Sequence, residues 1–215
     1  MKPSLHRATF ERGGFTMIEL LAVILVLGIL MTILILNLGG AEDAVKAKNT
    51  RGKLKELESA VRELENARGD WAPSTLPESF GTAPNATNLG AECLYLTLCA
   101  EGAVGFGVYE NRLSNTDKDA LARKPAGFEV AELHEIHDDW ENPIAYFHYR
   151  DYGRKDVYVT IDPQTGEERE SAVEAQKNTK TQRWMNPTTF QLVSAGPDGI
   201  FGMNEETGEN DDIRN

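Results

Sequence analysis

The 215-residue chain holds two cysteines and four histidines. Two cysteines are too few for a disulfide scaffold or a structural zinc cluster. Four histidines leave little for a histidine-rich metal site. Positive charge is scarce too, with 22 Lys and Arg against 34 Asp and Glu and a formal charge of -12. A protein that grips nucleic acid by its phosphates needs a basic surface, so no nucleic-acid partner is expected. Catalytic signatures are missing as well. There is no G-x-S-x-G, no H-E-x-x-H and no P-loop, and no enzyme is expected. Apolar content is ample: hydrophobic residues make up 40% and charged residues 26%, which excludes a disordered or collagen-like chain.

The extreme hydrophobicity is confined to residues 15–38. Leu20 to Leu36 reads LLAVILVLGILMTILIL, with Thr32 as its one polar interruption. Extended from Phe15 to Leu38, the run would measure about 36 Å as a helix, against a hydrocarbon core of about 30 Å. It is long enough to span a bilayer. The preceding stretch, MKPSLHRATFERGG, carries Lys2, Arg7 and Arg12 against Glu11. Positive charge ahead of an apolar run keeps that end in the cytoplasm. A cleaved secretory signal would have a shorter apolar region followed by a small-residue site. Here Gly13-Gly14 comes before the run instead.

Glu19 is a carboxylate four residues into that run. An acid within a spanning helix costs roughly 2.5–3.5 kcal/mol on insertion scales and is functional by default. The plainer alternative keeps Glu19 wet at the interface. A cut between Gly14 and Phe15 would connect the two oddities. It frees an amine at Phe15 and makes Glu19 the fifth residue of the product. An amine and a carboxylate in one apolar medium neutralise each other, within a subunit or between neighbours.

Gly13-Gly14-Phe15-Thr16-Met17-Ile18-Glu19 resembles the class III signal of type IV pilins and type II secretion pseudopilins. The resemblance implies cleavage by a prepilin peptidase, N-methylation of Phe15 and assembly into a helical filament through Glu19. It also implies a pilin-like α+β fold, in which a long N-terminal helix packs on a small antiparallel sheet. A proline common in the apolar run of that family is replaced by Leu36, and Gly39-Gly40 follow. Two glycines cost helix stability at about 1 kcal/mol each, which leaves a bend or a melted turn open there.

From Ala41 to Ala67 the chain is charged, Ala-rich and free of proline. Leu54, Leu57, Val61 and Leu64 recur at spacings of three and four, which predicts one apolar helix face. Gly69 is the expected C-cap, with Pro73 beyond. Residues 70–92 read as loop, and Glu92–Ala100 as a short helix. Cys93 and Cys99 are about 9 Å apart on a helix or about 20 Å on a strand, too far to pair unless the element breaks. Gly102, Gly105 and Gly107 lack the context of a phosphate loop and read as a turn. His134 and His137 with Asp138 and Asp139 make a weak metal set, since no further His or Cys is near.

Asn142-Pro143 initiates a turn. Ile144–Arg150, Val157–Ile161 and Phe190–Val193 are rich in β-branched and aromatic residues and are expected to form one small antiparallel sheet. Asp162–Thr189 reads as a polar inserted loop. The tail Ser194–Asn215 holds six acids, one base and four glycines. Trp140-x-Asn142-Pro143, two strands, then Ser194-x-Gly196-x-Asp198-Gly199 and Asp212-Ile213 resemble the major pseudopilin of type II secretion, as does Gly69-Asp70-Trp71-Ala72-Pro73. The match is weaker over 74–138 and 162–189.

The divisions expected are a leader (1–14), a transmembrane and filament-core helix (15–40), its amphipathic continuation (41–68) and a periplasmic head (69–215). The resemblance implies a single-pass inner-membrane protein that builds a periplasmic pseudopilus driving protein export. Its partners would be further copies, minor pseudopilins, an inner-membrane assembly platform and the prepilin peptidase. It also implies structural calcium in the tail. Asp198 and Asp212 lead that set, with Asp211, Asn210 and oxygens near Ser194; the plainer reading is a solvated acidic tail. Two other functions compete: a minor pilin of a type IV pilus or DNA-uptake machine, and a membrane-anchored periplasmic binding protein or enzyme. A DNA-binding tip wants a basic patch, and losing the leader's three bases and one acid makes the chain more acidic. A binding protein needs a pocket of convergent groups, and none is evident.

Overall fold

A computed structural model describes residues 15–105 and 107–215. The chain divides into two compact units between Glu42 and Asp43. Helix α1 (Met17–Arg68) passes through Gly39-Gly40 without a break. Within the first unit, Met17–Leu34 is long and apolar enough to cross a membrane, and none of it is buried. Leu20, Ile24, Leu27 and Met31 are all more than half exposed. A helix apolar on every side has no wet face to turn to water. Its backbone bonds are satisfied internally, so lipid or other apolar helices are its proper surroundings.

In the second unit the pattern is one-sided, as the spacing predicts. Leu54, Leu57, Val61 and Leu64 are buried and pack on Leu94, Tyr146 and Phe190. Arg62 on the open face pairs with Glu58 at 2.8 Å. The helix stops at Gly69, whose φ of +80° suits a residue without Cβ, and whose N–H donates to Glu65 O at 2.7 Å.

Helix α2 (Leu89–Leu98) is buried along almost its whole length, so its sequence shows no polar face. Asn88 starts it in the left-handed region, at φ 53°. That geometry is tolerable for asparagine, and the side chain is fully engaged. Its Oδ1 accepts from Val159 N, and its Nδ2 donates to Thr116 Oγ1 and Glu135 Oε1. Cys93, midway along this helix, and Cys99, at its C-cap, are both free thiols, as their spacing suggests.

Seven strands follow among the described residues: β1 (Leu113–Ser114), β2 (Glu135–Ile136), β3 (Ala145–His148), β4 (Lys155–Ile161), β5 (Glu168–Glu174), β6 (Phe190–Ser194) and β7 (Ile213–Arg214). The fold is α+β, with a long N-terminal helix and small antiparallel sheets, in keeping with a pilin-like fold. The sheets depart from the single one expected. β3, β6 and β7 form one sheet, β4 and β5 a second, β1 and β2 a third.

The stretch 162–189 is therefore more than a loop, because β5 lies within it and pairs with all of β4. Its sequence, ERESAVE, reads as polar because Val173 is the one residue of the strand that is buried. The hairpin turn is set by Asp162, whose Oδ1 accepts from the Gln164 and Thr165 amides. A side chain that bonds the backbone two and three residues on mimics a backbone turn.

Close packing of α2 on β3 rests on Gly90. A Cβ there would lie 2.2 Å from Tyr146 O and 2.6 Å from Tyr158 OH. The first of these is backbone and cannot swing away. Gly90→Ala should destabilise the full chain by about 3 kcal/mol or more, as overpacking does. Gly52 has nothing within 4 Å of a new Cβ on its exposed helix face. Gly52→Ala should stabilise by up to about 1 kcal/mol. Thermal melting in detergent, followed by circular dichroism, would read opposite signs for the two variants.

Candidate functional site

The N-terminal site begins at Phe15, since Gly13, Gly14 and the rest of the leader (1–14) lie outside the described residues. Phe15 is exposed. Thr16 sits just ahead of α1, and Glu19 in its first turn. The Thr16 amide donates to Glu19 Oε2 at 2.8 Å, and the Thr16 hydroxyl to the same oxygen at 2.7 Å. The Glu19 amide donates back to Thr16 Oγ1 at 3.3 Å. This is a capping box, which satisfies otherwise orphaned helix donors reciprocally. The spacing Thr-x-x-Glu is legible in the sequence, and the structure gives Glu19 a capping role beside its charge. A cut after Gly14 would free the Phe15 amine one residue before Thr16, next to the turn that Glu19 caps.

The acidic tail is ordered by the strands at its two ends. β6 runs into Ser194, and β7 returns beside it with Ser194 opposite Ile213. The loop between is thus closed onto the sheet, not left as a solvated tail. Ser194 is buried and donates to Asp138 Oδ2 at 2.6 Å. The other Asp138 oxygen accepts from the Trp140 and Asn142 amides at 2.9 and 3.0 Å. Burial pushes the Asp138 carboxyl up from the usual range, while these donors pull it back.

Of the five tail residues named above, the structure brings Asp198 and Asp211 together. Asp198 accepts from Ile200 N and from Asn204 Nδ2, both at 2.8 Å. Asp211 Oδ1 is buried and has no hydrogen-bond partner among the described residues. Burial first, then the charge of Asp198, raises Asp211 to about 6. Gly196, at φ +73°, lets its backbone approach this carboxylate, since a Cβ would lie 2.9 Å from Asp211 Oδ1. Asp212 faces elsewhere. It accepts from the Gly202 amide at 3.0 Å and from Gln176, and burial raises it to about 6. Asn210 is exposed and accepts from Asp212 N. An orphaned buried oxygen beside a second carboxylate fits a hard cation at Asp198 and Asp211.

His134, His137, Asp138 and Asp139 do not form a shared site. Asp138 serves the tail, and Asp139 pairs with Lys53 of α1 at 2.5 Å. His137 Nδ1 lies 2.7 Å from Asp138 O. A different acidic group does converge. One oxygen each from Glu92, Asp117 and Glu135 lies within 4.8 Å of the other two. Glu92 and Glu135 are buried, and desolvation pushes them to about 10 and about 8. None of the three belongs to a metal-ligand motif in the sequence. The available signal was Glu92 itself, the one charge in a ten-residue helix that is otherwise apolar or small.

Residues 11–35 match the prokaryotic N-terminal methylation motif, which indicates a type IV pilin-like protein. Beyond that motif, the chain matches no curated protein and no solved structure.

Removing Asp138 should uncouple the Trp140–Asn142 turn from the tail loop. Asp138→Ala strands three donors in a buried place, at a cost of about 3 kcal/mol. The expected result is a lower melting temperature, with new protease cleavage confined to 196–212. Unchanged cleavage there would mean that the tail does not depend on Asp138.

Proposed function

We propose that this type IV pilin-like chain is a structural subunit of a helical pseudopilus that drives protein export in a type II secretion system. The observation that carries the proposal is the methylation motif placed on a helix whose apolar surface is open on every side. Such a helix needs lipid before assembly and neighbouring helices after it. Polymerisation supplies both conditions in turn: helices leave the bilayer and pack in the fibre, while heads form its surface. The subtype rests on the Trp140-x-Asn142-Pro143 turn and the Ser194–Ile213 loop, which Asp138 ties together.

In this reading Lys2, Arg7 and Arg12 hold the leader in the cytoplasm, and the head lies in the periplasm. A prepilin peptidase cuts between Gly14 and Phe15, and Phe15 becomes N-methylated. Minor pseudopilins and an inner-membrane assembly platform are the partners. The chain itself carries out no chemistry. Calcium held by Asp198 and Asp211 fastens the tail loop, with Asp212 keeping the loop's far side in place through Gly202.

Intact-mass analysis of membrane-extracted protein tests processing, and the mature chain should start at Phe15. Retention of residues 1–14 in cells with an active prepilin peptidase would sink the reading. Glu19→Ala should leave membrane insertion intact and abolish filaments. Because Glu19 also caps the helix, Glu19→Gln separates the two roles: it keeps an accepting oxygen and removes the charge. If Glu19→Gln assembles as the parent does, capping and not charge is what assembly needs.

For the tail, equilibrium dialysis of the full chain in detergent should find Asp198→Ala one calcium short of the parent. Calcium should also raise the parent's melting temperature by mass action. An Asp198→Ala variant that binds as much calcium as the parent removes the tail ion.

A further inference from the structure

Glu92 lies in the first turn of α2, Glu135 in β2, and Asp117 in the segment after β1. Twenty-five and eighteen residues separate them in sequence, yet their oxygens share one small volume. Glu92 is 1% exposed and Glu135 not at all. The charged groups acting on Glu92 are Asp119, Asp117 and Glu135, all acidic. Among the described residues, no base is one of those groups. Packing like charges into a dry interior is among the costliest arrangements in a protein unless a counter-charge sits between them.

The hydrogen bonding is incomplete in a telling way. Glu135 is well held: it accepts from Asn88 Nδ2 at 2.8 Å, the Thr116 amide at 3.2 Å and Ser114 Oγ at 3.4 Å. Asp117 Oδ2 accepts from Asn85 Nδ2 at 2.7 Å. Glu92 Oε1 and Asp117 Oδ1 are buried atoms with no partner among the described residues, as are both oxygens of neighbouring Asp119. Native interiors rarely leave such oxygens unpaired, and an ion is one of the few things that accounts for several at once.

We propose that Glu92, Asp117 and Glu135 form a divalent-cation site for calcium, separate from the tail loop. The donors are all oxygen, with no thiol or imidazole, which selects a hard cation over zinc or copper. Ligands of one calcium sit at about 2.3–2.6 Å, so any two of them lie within about 5 Å of each other. The 4.8 Å limit on the three oxygens meets that condition. Magnesium prefers a tighter octahedron and retains its waters, which a largely buried trio of carboxylates suits less well. Asn85 and Asn88, just ahead of α2, and Ser114 and Thr116, at and after β1, hold Asp117 and Glu135 in place. The ion would cross-link α2 to the β1–β2 pair and so fix the region 85–135. The proposal stands apart from the secretion reading and from the tail ion.

The test is calcium binding to the full chain in detergent, stripped with chelator and dialysed against calcium chloride at fixed pH. With both sites present, the parent should bind two calcium ions per chain. Glu92→Gln and Asp198→Ala should each bind one, and the double variant none. Calcium should raise the melting temperature of Asp198→Ala and leave the double variant unmoved. Asp117→Asn, at the less buried corner, is a second variant that should also cost one ion. A parent count of one that survives in Asp198→Ala and vanishes in Glu92→Gln would support this site and remove the tail one. Glu92→Gln and Asp117→Asn that both bind as the parent does would overturn the proposal, as would a parent whose every ion is lost in Asp198→Ala.

Discussion

An α-helix satisfies its own backbone, so the character of its surface decides which medium it can occupy. That constraint governs α1 and everything attached to it. From Met17 to Leu34 every side is apolar and open. From Thr50 to Leu64 one side is buried in the head and the other carries charge. The two stretches form the same hydrogen-bonded element yet require different surroundings. A filament subunit must meet this condition, because its helix passes from lipid to protein while its head stays in water.

Within the head, a few buried polar side chains do what the short strands cannot. Three sheets of two or three strands offer few ladder bonds between them. Asn88 joins the start of α2 to β4 and to β2. Asn142 Oδ1 accepts from Ile161 N, which fixes the end of β4 to the turn before β3. Asp138 links that same turn to the tail loop. A fully satisfied buried polar group rigidifies its surroundings, whereas a stranded one destabilises them. The same logic singles out Glu92, Asp117, Asp119 and Asp211, each with a buried oxygen that has no partner among the described residues.

Acidity in this chain has two meanings, and composition merges them. Glu205, Glu206 and Glu209 are exposed and keep the surface solvated. Asp198, Asp211 and Asp212 belong to a closed loop, and Glu92 and Glu135 to the interior. A count of carboxylates treats all of these alike. Burial and mutual distance, which no count contains, separate a solvated face from a place for an ion.

The methylation motif, the apolar helix and its buried face at Leu54, Leu57, Val61 and Leu64 were legible in the sequence, because each is a local pattern with a fixed spacing. The helical stop at Gly69, the helix at 92–98 and the strands at 145–148, 157–161 and 190–193 were legible for the same reason. The division into three sheets was not, since pairing of β4 with β5 depends on a charged strand whose sequence lacks an apolar alternation. Nor was the convergence of Glu92, Asp117 and Glu135, or the preference of Asp198 for Asp211 over Asp212. Those contacts join residues far apart in the chain or choose between adjacent ones. Local sequence sets which way an element's faces point, and only the packed tertiary structure decides which carboxylates meet.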